Sequence, residues 1–263
     1  LENINKLRGI GVEFVGPKVE EGKAKIADIE EIVEAVIYRL SEKDLSDLKI
    51  LVTAGPSKEP IDPIRVITNR SSGKQGLALA YEARRRGAVV TLVYGGSICP
   101  PSKVKTLRVE TTREMVDATM TELESVEYDV VLAAAALADY GPQKPFETKI
   151  QSATIKELTL KLRATPKLID EVKRVTPETL LVAFKAEYNV SDDELIEKGY
   201  ERLKSSGADL IVVNDVAREG VGFQVDTNEI FIVNKKKEVF HISISPKKII
   251  AREILNHVKR LLR

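Results

Sequence analysis

The chain has 263 residues, with 41 lysines and arginines against 40 acids and a formal net charge of +1. That near-balance argues against a protein that wraps nucleic acid, but it allows a local basic pocket for a small phosphorylated ligand. A single cysteine, Cys99, excludes an intrachain disulfide or a cysteine-built zinc cluster, and with no apolar stretch of membrane-spanning length and no secretion-like start the expectation is a soluble, cytoplasmic protein.

Residues before Lys49 are short and charge-rich. A helix is expected over about 28–40 and a polar connection over 41–47, together too few for a separate stable domain. From Lys49 onward, strand and helix patterns alternate. Lys49–Ala54 is apolar and β-branched, as in a strand buried on both faces, and 73–87 fits a helix. Val89–Tyr94 reads as a strand, 112–123 as a helix and 129–135 as another buried strand. A strand at 180–184, a helix at 192–205 and a strand at 209–213 continue the series. Right-handed crossovers then put the strand carboxyl ends on one side, so the expected fold is α/β, a Rossmann-like doubly wound and mostly parallel sheet. The last third changes character. Segments 229–234 and 238–243 alternate around Lys235, Lys236 and Lys237 as a hairpin, followed by a closing helix from Pro246. Segment 158–162 also alternates and is expected to join that hairpin in a small antiparallel appendage.

The long excursion after the first strand, LVTAGPSKEPIDPIRVITNRSSGKQG at 51–76, carries the densest chemistry. Pro56, Pro60 and Pro63 stiffen it, and long ordered loops are more often functional than accidental. Backbone N–H groups at the start of the following helix favour an anion, which would dock beside Ser71, Ser72 and Gly73. The loop lacks the ordered glycines of a dinucleotide fingerprint, and Ser72-Gly73-Lys74 lacks the glycine spacing of a P-loop. The plainer alternative is that the serines cap the helix and Gly73 relieves backbone strain. Further on, Ala133, Ala134, Ala135 and Ala136 end a buried strand with side chains small enough for a planar ligand to reach the backbone; tight helix–sheet packing is the alternative. Asp139 follows at the strand's carboxyl end, and 141–154, with Lys144 and Lys149, reads as a charged mobile lid. His241 and His257 have neither metal-pair nor relay spacing.

Taken in order, TAGPSKEPIDPIRVITNRSSGKQG, AAALADY with a lysine following in the lid, LTLKLRATPKLI, LVAFKAE, and ADLIVVNDV with GFQVDTNE resemble phosphopantothenoylcysteine synthetase, the ligase of coenzyme A biosynthesis. The resemblance runs from about Lys49 to the C-terminus and implies a ligase domain over 49–263. The segment GVEFVGP at 11–17 is similar to the end of the flavin-dependent decarboxylase domain fused upstream in the bifunctional form, so 1–48 is read as a remnant of that region and a linker. Segment 18–27 lacks the cysteine that decarboxylase uses as proton donor, so neither decarboxylation nor flavin is expected of this chain.

The resemblance implies that 4′-phosphopantothenate and L-cysteine are joined through an acyl-cytidylate, consuming CTP with Mg2+ and releasing CMP and pyrophosphate, in a homodimer. It leaves the metal ligands unassigned. By motif position, Asn69 would hydrogen-bond the acyl-cytidylate, Arg65 would orient the pantothenate, and Lys149 would stabilise the phosphoryl-transfer transition state. Ala134, Ala135, Ala136 and Asp139 would line the nucleotide and intermediate, Phe184 would pack against base or ribose, and Pro166, Lys167, Leu168 and Ile169 match another nucleotide-contacting stretch.

The chain departs from the family pattern in two places. Lys149-Ile150-Gln151-Ser152 replaces a more basic Lys-Ile-Lys-Lys. Counting back from Asp209, two phosphate-contacting lysines fall on Arg202 and Ser206, with Lys198 and Lys204 nearby. Arginine can serve, but serine carries no charge, which leaves CTP against ATP open. Two rivals also stand at this stage: a non-catalytic Rossmann-like module for nucleotide or flavin, and a regulatory subunit that binds ligand without chemistry.

Overall fold

The computed structural model describes residues 2–101, 103–151 and 156–262. In chain order these form α1 (Glu2–Gly9), β1 (Lys18–Glu20), β2 (Lys23–Lys25), α2 (Ile29–Leu40), β3 (Lys49–Ala54), β4 (Lys58–Pro60), β5 (Val66–Thr68), α3 (Lys74–Arg85), β6 (Val89–Tyr94) and β7 (Lys105–Arg108). There follow α4 (Thr112–Ser125), β8 (Val130–Ala133), β9 (Tyr140–Pro142), β10 (Leu162–Ala164), α5 (Leu168–Val175), β11 (Leu180–Glu187), α6 (Asp192–Ser206), β12 (Leu210–Asp215), β13 (Thr227–Asn234), β14 (Val239–Pro246) and α7 (Lys247–Leu261).

One eight-stranded sheet organises the chain in the order β14-β13-β12-β11-β8-β3-β6-β7. The run from β12 to β7 is parallel throughout. In chain order those parallel strands wind outward from β3 to one side and from β8 to the other, which is the doubly wound arrangement expected from the sequence. Winding reverses between β3 and β8, and ligands of such sheets settle in the crevice beyond that pair.

The apolar runs explain why the sheet is central. Ile50, Val52 and Ala54 of β3 pack under α3 and α7, while Leu51 joins the core on the side of α4, α5 and α6. Neither face of the strand is left to water, so period-two alternation is absent. Gly76 lets α3 press on β3: a β-carbon there would stand 2.4 Å from the Ala54 side chain. Helix α4 is started by a reciprocal cap, the Glu114 backbone N–H donating to Thr111 Oγ1 at 3.1 Å and the Thr111 N–H to Glu114 Oε2 at 3.4 Å.

Two expectations are corrected. The C-terminal hairpin is no appendage, because β13 pairs antiparallel with β12 and extends the main sheet. Ile230 and Ile232 face one layer and Phe231 and Val233 the other, so β13 is buried on both sides and belongs to the core. Segment 158–162 does not join that hairpin either; Leu162–Ala164 pairs with Tyr140–Pro142 in a separate two-stranded unit. Moreover, the polar connection 41–47 contains Leu45, which is 1% exposed and part of the core. A single leucine among charges produces no periodicity, so no local pattern marks it. No described helix is long and apolar enough to cross a membrane.

Candidate active site

The loops leaving β3 and β8 are stitched together at the reversal point. Ala134 N–H donates to the Thr53 carbonyl at 3.1 Å, Ala136 N–H to Gly55 O at 3.0 Å, and Ser57 N–H to Ala136 O at 3.3 Å. Ala138 N–H donates to the buried Ser57 hydroxyl at 2.9 Å, and that hydroxyl lies 2.8 Å from Thr112 Oγ1. Asn69 completes the seam, its Nδ2 donating to Ala136 O at 3.2 Å and Leu137 O at 2.9 Å. Thr68 Oγ1 holds the same turn by donating to Ser57 O at 2.7 Å. Small residues at 133–136 are therefore what lets the two loop backbones meet. Ser57 and Thr68 escaped the sequence reading, because nothing in a loop's composition reveals which hydroxyls are buried.

Below this seam, β4 and β5 form a short hairpin carrying Asp62 and Arg65. Asp62 is 2% exposed. Its carboxylate accepts from the backbone N–H of Ile64 at 2.8 Å, Arg65 at 2.7 Å and Ile150 at 3.1 Å, and pairs with the Arg65 guanidinium. Burial pushes this carboxyl up, but those backbone donors and Arg65 outweigh it and hold it at about 2. Arg65 also donates to Ile150 O at 3.3 Å. Ile150 is thus clamped from both sides, and Lys149, exposed beside it, is set at the root of the lid. Phe146 N–H bonds to Ile61 O at 2.8 Å, tethering the lid's first half. Residues 152–154 of the expected lid, Ser152 included, lie outside the described residues.

Across the crevice, Asp139 pairs with Lys167, the residue that starts α5. Thr165 N–H donates to Asp139 O at 3.0 Å, so the stretch Pro166 to Ile169 is drawn to the end of β8. Leu168 is buried, while Ile169, like Ala135 and Leu137, packs against the core on the α4, α5 and α6 side. On the adjacent strand end, Phe184 packs on the α3 and α7 side together with Ala134.

Helix α6 directs two cations onto carboxylates of neighbouring elements. Lys198 Nζ stands 3.2 Å from Glu187 Oε2 at the carboxyl end of β11, and Arg202 Nη2 stands 2.7 Å from Asp170 Oδ1 in the first turn of α5. Positions four apart share a helix face, so Lys198 and Arg202 lie on one side of α6. Ser206, the position reached by counting from Asp209, lies in the last turn with its hydroxyl donating to Arg202 O at 2.8 Å. Lys204 is not brought to the crevice. It lies 4.7 Å over the Tyr200 ring, which Lys237 also approaches at 5.0 Å, beside the β13–β14 turn at the amino end of the parallel strands.

The expected anion corner is partly filled by the chain itself. Gly73 caps α3 with φ +78°, where a β-carbon would be 3.0 Å from the Gly55 backbone. Ser71 Oγ accepts from Gly73 N–H at 3.3 Å, Ser72 donates to Phe223 O, and Lys74 Nζ reaches Gln224 O at 3.1 Å and Asp226 at 2.6 Å. The GFQVDTNE segment therefore leans on this helix start, a pairing of distant motifs that no local pattern announces.

Among the described residues, no group of three or more histidine, cysteine, aspartate or glutamate side chains could hold a metal ion. The crevice carboxylates Asp139 and Glu187 are each paired with lysine. Such a donor set fits a divalent cation carried on a ligand's own phosphate oxygens, the usual arrangement for Mg2+, rather than a protein cage.

Residues 45–262 match the family described as the DNA/pantothenate metabolism flavoprotein C-terminal domain. The chain is 46% identical over 234 residues to the coenzyme A biosynthesis bifunctional protein CoaBC of Thermococcus kodakarensis, covering 89% of this chain and 57% of that protein. It is 36% identical over 253 residues to the protein of the same name from Methanocaldococcus jannaschii, covering 96% of this chain and 60% of the relative. It thus spans less than two thirds of either relative's length. Among solved structures, the C-terminal domain of a coenzyme A biosynthesis bifunctional protein CoaBC superposes with a TM-score of 0.69 at 32% identity, covering 84% of this chain and 98% of that one.

Proposed function

Because this chain belongs to the DNA/pantothenate metabolism flavoprotein C-terminal domain family, the phosphopantothenoylcysteine synthetase part of bifunctional CoaBC proteins, we propose that it is the ligase that joins 4′-phosphopantothenate to L-cysteine at the expense of CTP. The observation that carries this reading is the convergence of Asn69, Asp139, Lys167 and Phe184 on the crevice between β3 and β8. Exposed cations at the strand ends, Lys149 and Lys167 among them, suit a triphosphate.

The chemistry needs two displacements. A carboxylate oxygen of phosphopantothenate attacks the α-phosphorus of CTP, the bond to the bridging oxygen breaks, and pyrophosphate leaves with both electrons. The cysteine amine then attacks the acyl carbon of the mixed anhydride, CMP departs, and the nitrogen gives up a proton to form the amide. Negative charge grows on phosphoryl oxygens first and on the acyl oxygen next, so fixed donors are what the chain must supply. Lys149, Lys167, Lys198 and Arg202 hold phosphates, with Mg2+ adding charge neutralisation when bound. Asn69 spends its Nδ2 on two backbone carbonyls and keeps Oδ1 for a ligand N–H, so it shapes the intermediate pocket as a clamp. Phe184 flanks the base or ribose.

The parts that lie beyond this chain enter the same reading. The same reading takes residues 1–48 as the link to a second, upstream activity, in keeping with the relatives' bifunctional name, here a decarboxylase, and takes the active form as a homodimer, which light scattering checks. The decisive measurement of function is product analysis with CTP and ATP in parallel, phosphopantothenate present and cysteine omitted. CMP and pyrophosphate formation dependent on phosphopantothenate supports the ligase. Nucleotide or flavin binding with no CMP or AMP formed would leave a binding module instead.

A further inference from the structure

Lys185 lies next to Phe184 in β11, and nothing in the motif correspondence gives it a task. Alternation along the strand decides where it points: Phe184 packs on the α3 and α7 side, so Lys185 faces the α6 side, from which Lys198 comes. Both ammonium groups are held by one carboxylate. Lys185 Nζ is 2.7 Å from Glu187 Oε1, and Lys198 Nζ is 3.2 Å from Glu187 Oε2. Lys198 has a second partner, Glu194 at 2.8 Å. Lys185 has only Glu187 as an ion-pair partner among the described residues.

None of these groups is buried like a core ion pair; the Lys185 and Glu187 side chains are 30% and 19% exposed. A further cation of the crevice, Lys167, is likewise paired with one carboxylate. Cations gathered this closely repel one another unless an anion sits among them, and a carboxylate of the chain can hold that place until a stronger anion arrives. We propose that Lys185 is a further phosphate-binding residue of this crevice and that Glu187 is its resident placeholder, displaced from Lys185 and Lys198 when a polyphosphate enters. The inference rests on the crevice being the triphosphate site proposed above, and it makes the grip on phosphate stronger than the family-matched positions alone supply.

Calorimetric titration of the full chain with inorganic pyrophosphate, and separately with CTP, tests this. Lys185→Met should weaken binding of both by about tenfold, the loss of one charge-assisted hydrogen bond. Lys185→Arg should retain affinity, Glu187→Gln should tighten pyrophosphate several-fold by removing the competitor, and Lys236→Met, a surface lysine at the opposite end of the sheet, should change nothing. Wild-type affinity in Lys185→Met, or equal losses in Lys185→Met and Lys236→Met, would overturn the proposal. If wild type forms CMP while Lys185→Met binds normally, this inference alone fails; if wild type neither binds pyrophosphate nor forms CMP, the ligase reading fails with it.

Discussion

Two clusters of opposite charge stand at opposite ends of the sheet and do different things. At the amino end, Asp44 accepts from Arg86 Nε at 2.8 Å and Nη2 at 2.7 Å and from Lys259 at 2.6 Å, while Arg86 Nη1 donates to Asn256 at 2.9 Å. The Arg86 side chain is 7% exposed, and its fork ties the residues before β3 to α3 and α7. Arg86 holds the Asp44 carboxyl far below the usual range despite burial. At the carboxyl end, Lys167 and Asp139 are paired while both remain more than half exposed. The chemistry of the pairs is the same. What separates them is whether each donor and acceptor is already saturated by protein or can exchange its partner for a ligand.

The largest expected effect comes from breaking the saturated cluster. Asp44→Asn leaves Arg86 buried, and Lys259 half-buried, without their anion and should destabilise the fold by about 3 kcal/mol, seen as a lower denaturant midpoint at unchanged slope. CTP affinity of the folded fraction should not move. An unaltered midpoint would mean that the amino-end cluster is as dispensable as a surface pair, and the contrast between the two ends would vanish.

Asn69→Ala should have the next largest effect, but on turnover. Its Nδ2 clamps the β8 loop, and on the proposed reading its Oδ1 meets the ligand, so CMP formation should fall about a hundredfold, the typical loss for one preorganised polar contact. Because Asn69 is exposed, the melting midpoint should stay within about a degree or two of wild type. A comparable drop in stability would turn the clamp into glue and move Asn69 into the same category as Asp44.

The outer contrast is sharpened by Lys167→Met. Removing one half of an exposed pair should alter stability by less than about 1 kcal/mol. CTP binding should weaken by about tenfold, most clearly at low salt, where charge interactions are least screened. Calorimetry and chemical denaturation on one preparation separate the two readouts, and loss of stability without loss of affinity is the result that would count against a ligand-facing role.

The same distinction explains what could be read from the chain beforehand. Lys49–Ala54 and Val89–Tyr94 were legible because strands buried on both faces must be apolar throughout, and a solvent-facing register would have shown alternation. The crevice was legible in outline because Ala136 and Asp139 follow β8, whose neighbours are β3 and β11, so strand order sets them beside the loop after β3. Partnerships across long separations were not. Ser72 with Phe223, Arg65 with Ile150 and Leu45 in the core depend on tertiary packing that leaves no periodic trace. On α6, counting from Asp209 reaches Arg202 and Ser206 but does not show that Lys198 rests on Glu187 and Arg202 on Asp170, contacts between separate elements. Segment 158–162 alternated convincingly, yet its neighbour is β9, and alternation alone never names a strand's partner.

Asp62 crosses between the two categories, since it sits at the crevice yet is saturated by protein donors. Its carboxyl lies at about 2 in the fold against an ordinary value of 3.8. The folded protein therefore binds this proton less readily than the unfolded chain. The stabilisation is fully present above about pH 4 and is lost as pH falls toward 2. Asp62→Asn mimics the protonated group at every pH. Its thermal midpoint should lie below wild type at neutral pH, and the gap should close as acid titrates the wild-type carboxylate. Other carboxylates act equally in both proteins, so the difference isolates Asp62. A gap that stays constant from neutral pH down to 2 would show that the charge is not what holds Ile150, and the lid root would then depend on hydrogen-bond shape alone.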